Sequence, residues 1–186
     1  MRIYVIYYVT MIFFLCSCAA NKAHVDYDTT VSFASYKTYA WSKDTDKKTG
    51  QSRLDTPLVH QRVQESIEKR LSAKGLKKVE TAQADVLVTY HLSVAAVGQT
   101  SSSMSLGFGR SSGRSSIGIS LGMPLGSRTI EEGTLVIDLI DSKNSTMVWR
   151  GIASRKLSRG DLNPEQARAN IDEVVQEILD NYPPKK

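Results

Sequence analysis

Cys16 and Cys18, the only thiols of this 186-residue chain, stand at the end of an apolar run from Ile3 to Leu15. The small Ser17 directly before Cys18 suits the cleavage site of a leader peptide. Gly118-Ile119-Ser120-Leu121-Gly122 matches the G-x-S-x-G spacing of a serine hydrolase elbow. That chemistry needs a strand-turn-helix bend, then an acid and a histidine further along the chain. No helical pattern follows Ser120, and His24, His60 and His91 all lie upstream of it, so a chance match in Ser/Gly-rich sequence is the expectation. Asp85, Asp138 and Asp141 are the carboxylates to consider for acid–base work, and Asp138 is notable for interrupting an apolar strand pattern. A carboxylate without a second catalytic group makes a poor enzyme. Asp138 on a solvated sheet face, or paired with Arg150 across a hairpin, is the simpler expectation. The three histidines have no close ligand spacing, His60 is expected on the exposed side of a helix, and no metal is expected. Gly107-Phe108-Gly109 is followed by a third glycine, Gly113, one residue too late for a dinucleotide fingerprint, and there is no P-loop, so no cofactor is expected either.

The elements that would hold these residues follow from periodicity. Tyr27 to Trp41 is rich in β-branched and aromatic residues and predicts two strands broken near Ser35, with Val31, Phe33, Tyr36, Tyr39 and Trp41 as core candidates. Thr56-Pro57 opens a helix as N-cap and first-turn proline; Val59, Val63, Ile67 and Leu71 form its stripe, and Gly75 supplies its C-terminal cap. Leu76 to Val79 predicts a short strand, and Ala84 to Val97 a longer one with Val86, Val88, Tyr90, Leu92 and Val94 on one face. Glu132 to Asp141 and Thr146 to Leu157 predict a hairpin joined by a turn that contains Asn144-Ser145-Thr146. Asn163-Pro164 opens the last helix, with Ala167, Ile171, Val174, Val175 and Ile178 as its apolar stripe, and Tyr182-Pro183-Pro184 ends it. Residues 98–128 are dominated by Ser and Gly. Met104, Leu106 and Phe108, then Ile117, Ile119, Leu121 and Met123, alternate with small residues, which fits a hairpin, while the composition fits a flexible loop; both readings stand. The order predicts an α+β fold, a mostly antiparallel sheet with two helices packed on one face.

Composition and the leader restrict the setting. The chain is 41% hydrophobic and 23% charged, which describes a globular protein with room for one core. Arg2 is the only charged residue ahead of Cys18, so cleavage there lowers the net charge from +5 to +4. A sequence pI of about 9.2 is a statement about solubility more than about partner, and nucleic acid is not expected for an exported chain. A Cys16–Cys18 bridge would be severed by cleavage, so the mature domain must fold without disulfides.

Leu15-Cys16-Ser17-Cys18 resembles a bacterial lipobox. That resemblance implies residues 1–17 as a lipoprotein signal peptide, cleavage between Ser17 and Cys18, and anchorage to membrane lipid through acylated Cys18. Ala19, where an inner-membrane retention signal would carry Asp, implies the outer membrane, with the domain expected on its periplasmic face. Residues 18–25 form a short tether, which reaches at most roughly 25–30 Å and keeps the domain, residues 26–184 with the Ser/Gly-rich insert 98–128, close to the lipid. Ser35-Tyr-Lys-Thr-Tyr-Ala-Trp41, Ala84-Asp-Val-Leu-Val-Thr-Tyr-His91, Glu132-Gly-Thr-Leu-Val-Ile-Asp-Leu139 and Val148-Trp-Arg-Gly151, in this order, resemble the bacterial lipoprotein family of domain of unknown function 4136. The resemblance implies a lipid-anchored domain without assigned catalytic residues or cofactor. The expectation is a non-catalytic binding or structural module, not an enzyme. The alternatives are a subunit of an envelope assembly that offers the Ser/Gly-rich hairpin to an envelope protein partner as an edge, and an envelope hydrolase using Asp138 or Ser120.

Overall fold

The computed structural model describes residues 23–43, 45, 49–50, 54–112, 115–157 and 163–184, without the side chains of 99–128. Strands β1 (His24–Tyr27), β2 (Thr38–Trp41), β3 (Lys77–Lys78), β4 (Val86–Ser112), β5 (Ser115–Asp141) and β6 (Met147–Lys156) are joined with helices α1 (Pro57–Ala73) and α2 (Pro164–Leu179) into a mixed α+β fold. The strands form one six-stranded sheet in the order β1-β6-β5-β4-β2-β3. Pairing is antiparallel from β1 through β4 and parallel where β2 joins β4 and β3. Cys16, Ser17 and Cys18, with the rest of the expected leader and most of the tether, lie outside the described residues.

Local chemistry accounts for the helix ends. The Thr56 side chain accepts a hydrogen bond from the Val59 amide at 3.3 Å, and Asn163 accepts one from Gln166 at 2.8 Å, so each helix starts on a satisfied cap followed by proline. At the end of α1 the Leu76 amide returns to the Leu71 carbonyl and Gly75 to Ser72, which requires the left-handed backbone that Gly75 adopts at φ 88°. Val63, Ile67 and Leu71 are buried as their spacing predicts. In α2 the buried set is Val175, Ile178 and Leu179, with Ala167, Ile171 and Val174 half-buried.

The core is built from rows that run across the sheet. Val88, Leu139 and Trp149 are register partners, as are Tyr90, Ile137 and Gly151, then Leu92, Leu135 and Ala153. Trp149, Tyr90, Ile137 and Leu139 are almost wholly buried, together with Tyr39 and Tyr182. Each such aliphatic contributes about 1.5–3 kcal/mol on burial, so these rows outweigh the exposed ion pairs among the stabilising terms. Trp149 and Phe33 both meet Tyr182 edge-on, at ring centroid distances of 5.5 and 5.8 Å. Gly151 permits this packing. A methyl at that position would overlap the Ile178 side chain and the Trp149 ring.

The N-terminal region departs from expectation. The first strand lies at His24–Tyr27, paired with β6, so regular structure starts inside the tether expected for residues 18–25. Asp28 closes β1 by accepting the amide and hydroxyl of Thr30, at 2.8 and 2.6 Å. Phe33–Ser35, expected as strand, is a single 3-10 turn that delivers Phe33 to the core.

Residues 98–112 and 115–128 form two paired antiparallel strands. β4 and β5 are each 27 residues long and stay paired from Val86–Asp141 out to Ser112–Ser115, with irregularities between Ala96 and Gly98 and between Ser101 and Ser103. β6 pairs with β5 only between Glu132 and Ile140, and β2 with β4 only between Val86 and Val88. Past Ala96 and Glu131 the two strands are therefore paired only with each other among the described residues, as a ribbon of about 50 Å at about 3.4 Å per residue. The ribbon leaves the end of the sheet where Glu132 faces Lys156; the turn from Asp141 to Met147 marks the opposite end. His24 sits opposite Ile152 in antiparallel pairing, so the chain upstream of β1 enters from the ribbon end.

Candidate functional site

Asp138 is 3% exposed and held in a fork: Arg150 donates from Nε to Oδ1 at 2.7 Å and from a terminal nitrogen to Oδ2 at 2.8 Å. This is the cross-hairpin pair that the sequence suggested. The Asp138 hydrogen bonds raise the Arg150 pKa above its ordinary value, against the opposing effect of partial burial. The register extends the pair into a polar row across four strands, Thr89 on β4, Asp138 on β5, Arg150 on β6 and Asp26 on β1. Both Asp138 oxygens are thus engaged by a permanent cation, and the Arg150 side chain stays 40% exposed.

The other two carboxylates are also latched. Asp85 accepts the amides of Lys37 and Thr38 and the Thr38 hydroxyl, each at 2.9 Å, and those bonds, led by the Lys37 amide, hold its pKa below the usual carboxylate value. Asp141 is partly desolvated, which by itself would raise its pKa. The Tyr36 hydroxyl at 2.8 Å and the amides of Lys143 and Asn144 at 2.9 and 3.2 Å outweigh that and hold the value low. The Tyr36 phenol is pushed well up, by burial first and by Asp141 second. Trp41 donates to Glu68 at 2.7 Å and meets Tyr90 edge-on. The segments 35–41, 84–91, 132–139 and 148–151 thus lock onto one another.

The remaining candidates disperse. His60 is half-buried, not on the exposed side of its helix, because its Nδ1 lies 2.8 Å from the Tyr90 hydroxyl. His24 is on β1 and His91 on β4, and among the described residues no cluster of three metal-ligating side chains occurs. Ser120 lies within β5, opposite Gly107, so the backbone from Gly118 to Gly122 is straight strand and lacks the bend that an elbow needs. Asn144-Ser145-Thr146 lies in the β5–β6 turn. Arg155 reaches Glu173 and Glu177 at 3.0 and 2.9 Å.

One feature had no sequence signal. A cleft of about 570 Å³ opens at the ribbon end of the sheet, where Val59 and Val63 of α1 and Ile171 and Val174 of α2 face Leu92 and Leu135. Its volume is that of a small-molecule site. Arg155 and Glu173 at its wall already engage each other. Its lining comes from segments far apart in sequence, so no local spacing could announce it. Among the described residues no helix is long and apolar enough to cross a membrane.

Several solved structures are similar to this chain. A PDZ domain protein from Parabacteroides distasonis matches at 18% identity and a TM-score of 0.52 over 89% of this chain, which spans 36% of that structure's chain. A DUF4136 family protein from Bacteroides thetaiotaomicron matches at 12% identity and a TM-score of 0.49, over 88% of this chain and 96% of the other. PelC from Paraburkholderia phytofirmans, crystallised as a dodecamer, matches at 12% identity and a TM-score of 0.45, over 84% and 93%. No curated protein matches the sequence. The family model for the domain of unknown function DUF4136 matches residues 23–184, and the chain therefore belongs to that family.

Proposed function

We propose that the protein is a lipid-anchored lipoprotein of the bacterial outer membrane, held by acylated Cys18 after cleavage behind Ser17, and that its domain is a non-catalytic binding or structural module on the periplasmic face. The observation that supports the non-catalytic part is that each of the three candidate carboxylates is engaged by structural partners: Asp85 by the Lys37 and Thr38 amides, Asp138 by Arg150, and Asp141 by the Tyr36 hydroxyl. Support for the anchor comes from the lipobox and from the strand β1, which brings the chain in at one end of the sheet within a short reach of Cys18. We further propose that both helices cover the same sheet face. Tyr90 and Gly151 lie in one register row through Ile137, and His60 of α1 touches the first while Ile178 of α2 lies against the second. The row Thr89-Asp138-Arg150-Asp26 then belongs to the other face.

The test of the anchor is metabolic labelling with a palmitate analogue. Wild-type protein is expected to take the label and partition with outer membranes, and Cys18→Ala to lose the label and appear in the soluble periplasmic fraction. Unchanged membrane retention of unlabelled Cys18→Ala protein would overturn the anchor. A second reading, a subunit of an envelope assembly, is favoured by the ribbon, whose two outer edges have no third strand beside them past Glu131 among the described residues.

A further inference from the structure

Past Ala96 and Glu131 the register of the ribbon sorts its residues into two classes. Met104 faces Met123, Leu106 faces Leu121 and Phe108 faces Ile119, while the intervening pairs are Ser105 with Gly122, Gly107 with Ser120 and Gly109 with Gly118. The two-residue strand period places the first set on one face and the second on the other. No charged residue occurs between Leu92 and Gly109, nor between Ser115 and Ser127. A lone two-stranded ribbon is marginal in water, and glycine makes it more so, because a glycine-rich chain loses more freedom on ordering. Such a ribbon needs an apolar medium against one face and further strands at its edges.

Three dimensions agree on the medium. The run from Thr100, which faces Arg128, to Arg110, which faces Ile117, measures about 34 Å at about 3.4 Å per residue. At the roughly 40° tilt of membrane strands that is a height of about 26 Å, against the about 25 Å apolar band of outer-membrane barrels. The alternation of large apolar with Ser and Gly is the pattern of strands with lipid on one side and a lumen on the other. Finally, the chain enters β1 from the same end of the sheet that the ribbon leaves, and Cys18 to His24 spans at most about 20 Å, so a lipid on Cys18 sets the bilayer surface at the ribbon's root.

We propose that the facing pairs Met104/Met123, Leu106/Leu121 and Phe108/Ile119, backed by a Ser/Gly face in a ribbon whose charged residues stand only at its ends, Arg128 at the root and Arg110 and Arg114 toward the tip, make residues 98–128 a bilayer-spanning β-hairpin that copies of this chain combine into a closed barrel. Hydrocarbon tolerates no open strand edge, so each hairpin must pair with its neighbours from other copies, and four copies give the smallest barrel, of about eight strands. The apolar face meets lipid and the Ser/Gly face lines the lumen. This deepens the assembly reading and rests on it; the anchor enters only to orient the domain.

The test uses the full-length protein, matured in a Gram-negative host and reconstituted into phosphatidylethanolamine–phosphatidylglycerol vesicles. Leu106→Cys, Leu121→Cys, Ser105→Cys and Ser120→Cys variants are labelled with an environment-sensitive fluorophore, each qualified by thermal unfolding of the sheet domain like that of the unsubstituted chain. Labels at 106 and 121 are expected to be quenched by a lipid-borne spin probe and spared by iodide, and labels at 105 and 120 to show the reverse. Iodide quenching at all four positions would overturn the proposal, as would labels at 106 and 121 shielded from both quenchers, which is the outcome for ribbons buried against protein. Crosslinked species must also extend to four or more copies; a monomer or dimer overturns the barrel. Acyl labelling of the same preparations separates the two claims. Alternation without acyl label removes the anchor and keeps the hairpin, and acyl label without alternation does the opposite.

Discussion

At the scale of single residues, the carboxylates that looked most like chemistry are each held by partners within the fold. If Arg150 serves to hold Asp138, Arg150→Ala strands a buried carboxylate. It is expected to lower the unfolding free energy by about 2 kcal/mol, less than the roughly 3–5 kcal/mol for a fully buried pair because the guanidinium still sees solvent. Replacing both partners by alanine is expected to cost less than Arg150→Ala alone, because the stranded charge is then gone; urea titrations of the three proteins decide it. Asp85 and Asp141 contribute to the pH dependence, as do the more exposed Asp28, Asp55 and Glu65, which are also held below their ordinary values. The folded-state pKa values of Asp85 and Asp141 lie below the ordinary 3.8, so their contribution is full above about pH 5 and is lost as pH falls through about 4 and on through the folded values. Asp85→Asn with Asp141→Asn is expected to flatten the acid side of a plot of stability against pH, and an unchanged acid slope would contradict the latch reading. Asp138 could be picked out from sequence as an anomaly and Arg150 as its partner, because hairpin register places them opposite each other. The bonds Tyr36–Asp141 and Thr38–Asp85 join residues 105 and 47 positions apart, beyond any local pattern.

At the scale of elements, stop and start signals were legible where side chains act on their own backbone. Thr56, Gly75 and Asn163 marked helix ends because capping is a contact within a few residues. Thr56→Ala is expected to cost about 1 kcal/mol in equilibrium unfolding. Gly151→Ala should cost more, about 1–3 kcal/mol, since a methyl there meets Ile178 and Trp149; full stability in that variant would show that α2 is not seated against β6. Strand β1 was displaced from expectation because a four-residue edge strand with mostly exposed side chains carries no apolar alternation, and its placement depends on β6. Leu179 and Tyr182 were absent from the expected stripe of α2 because the turn after the helix folds back onto Phe33 and Trp149. For the ribbon, alternation and glycine content pointed in opposite directions. The pairing of 27-residue strands resolved them in favour of alternation.

At the scale of the whole molecule, one end of the sheet gathers the features on which the proposed membrane attachment rests, the entry of the chain into β1 and the root of the ribbon, together with the mouth of the cleft. The opposite end carries the polar turn Ser142-Lys143-Asn144-Ser145. The two ends stand about 30 Å apart along β5 at about 3.4 Å per residue. This polarity is invisible in composition, since it arises from the antiparallel registers of β1 on β6 and of β6 on β5. The central claim is that the ribbon end lies on the lipid. Spin labels introduced singly at the exposed Lys156 and Lys143 of the membrane-bound, full-length protein test it through collision with a relaxation agent carried on lipid head groups. Strong relaxation is expected at position 156 and none at position 143. Equal relaxation at the two positions, or relaxation at 143 alone, would contradict it.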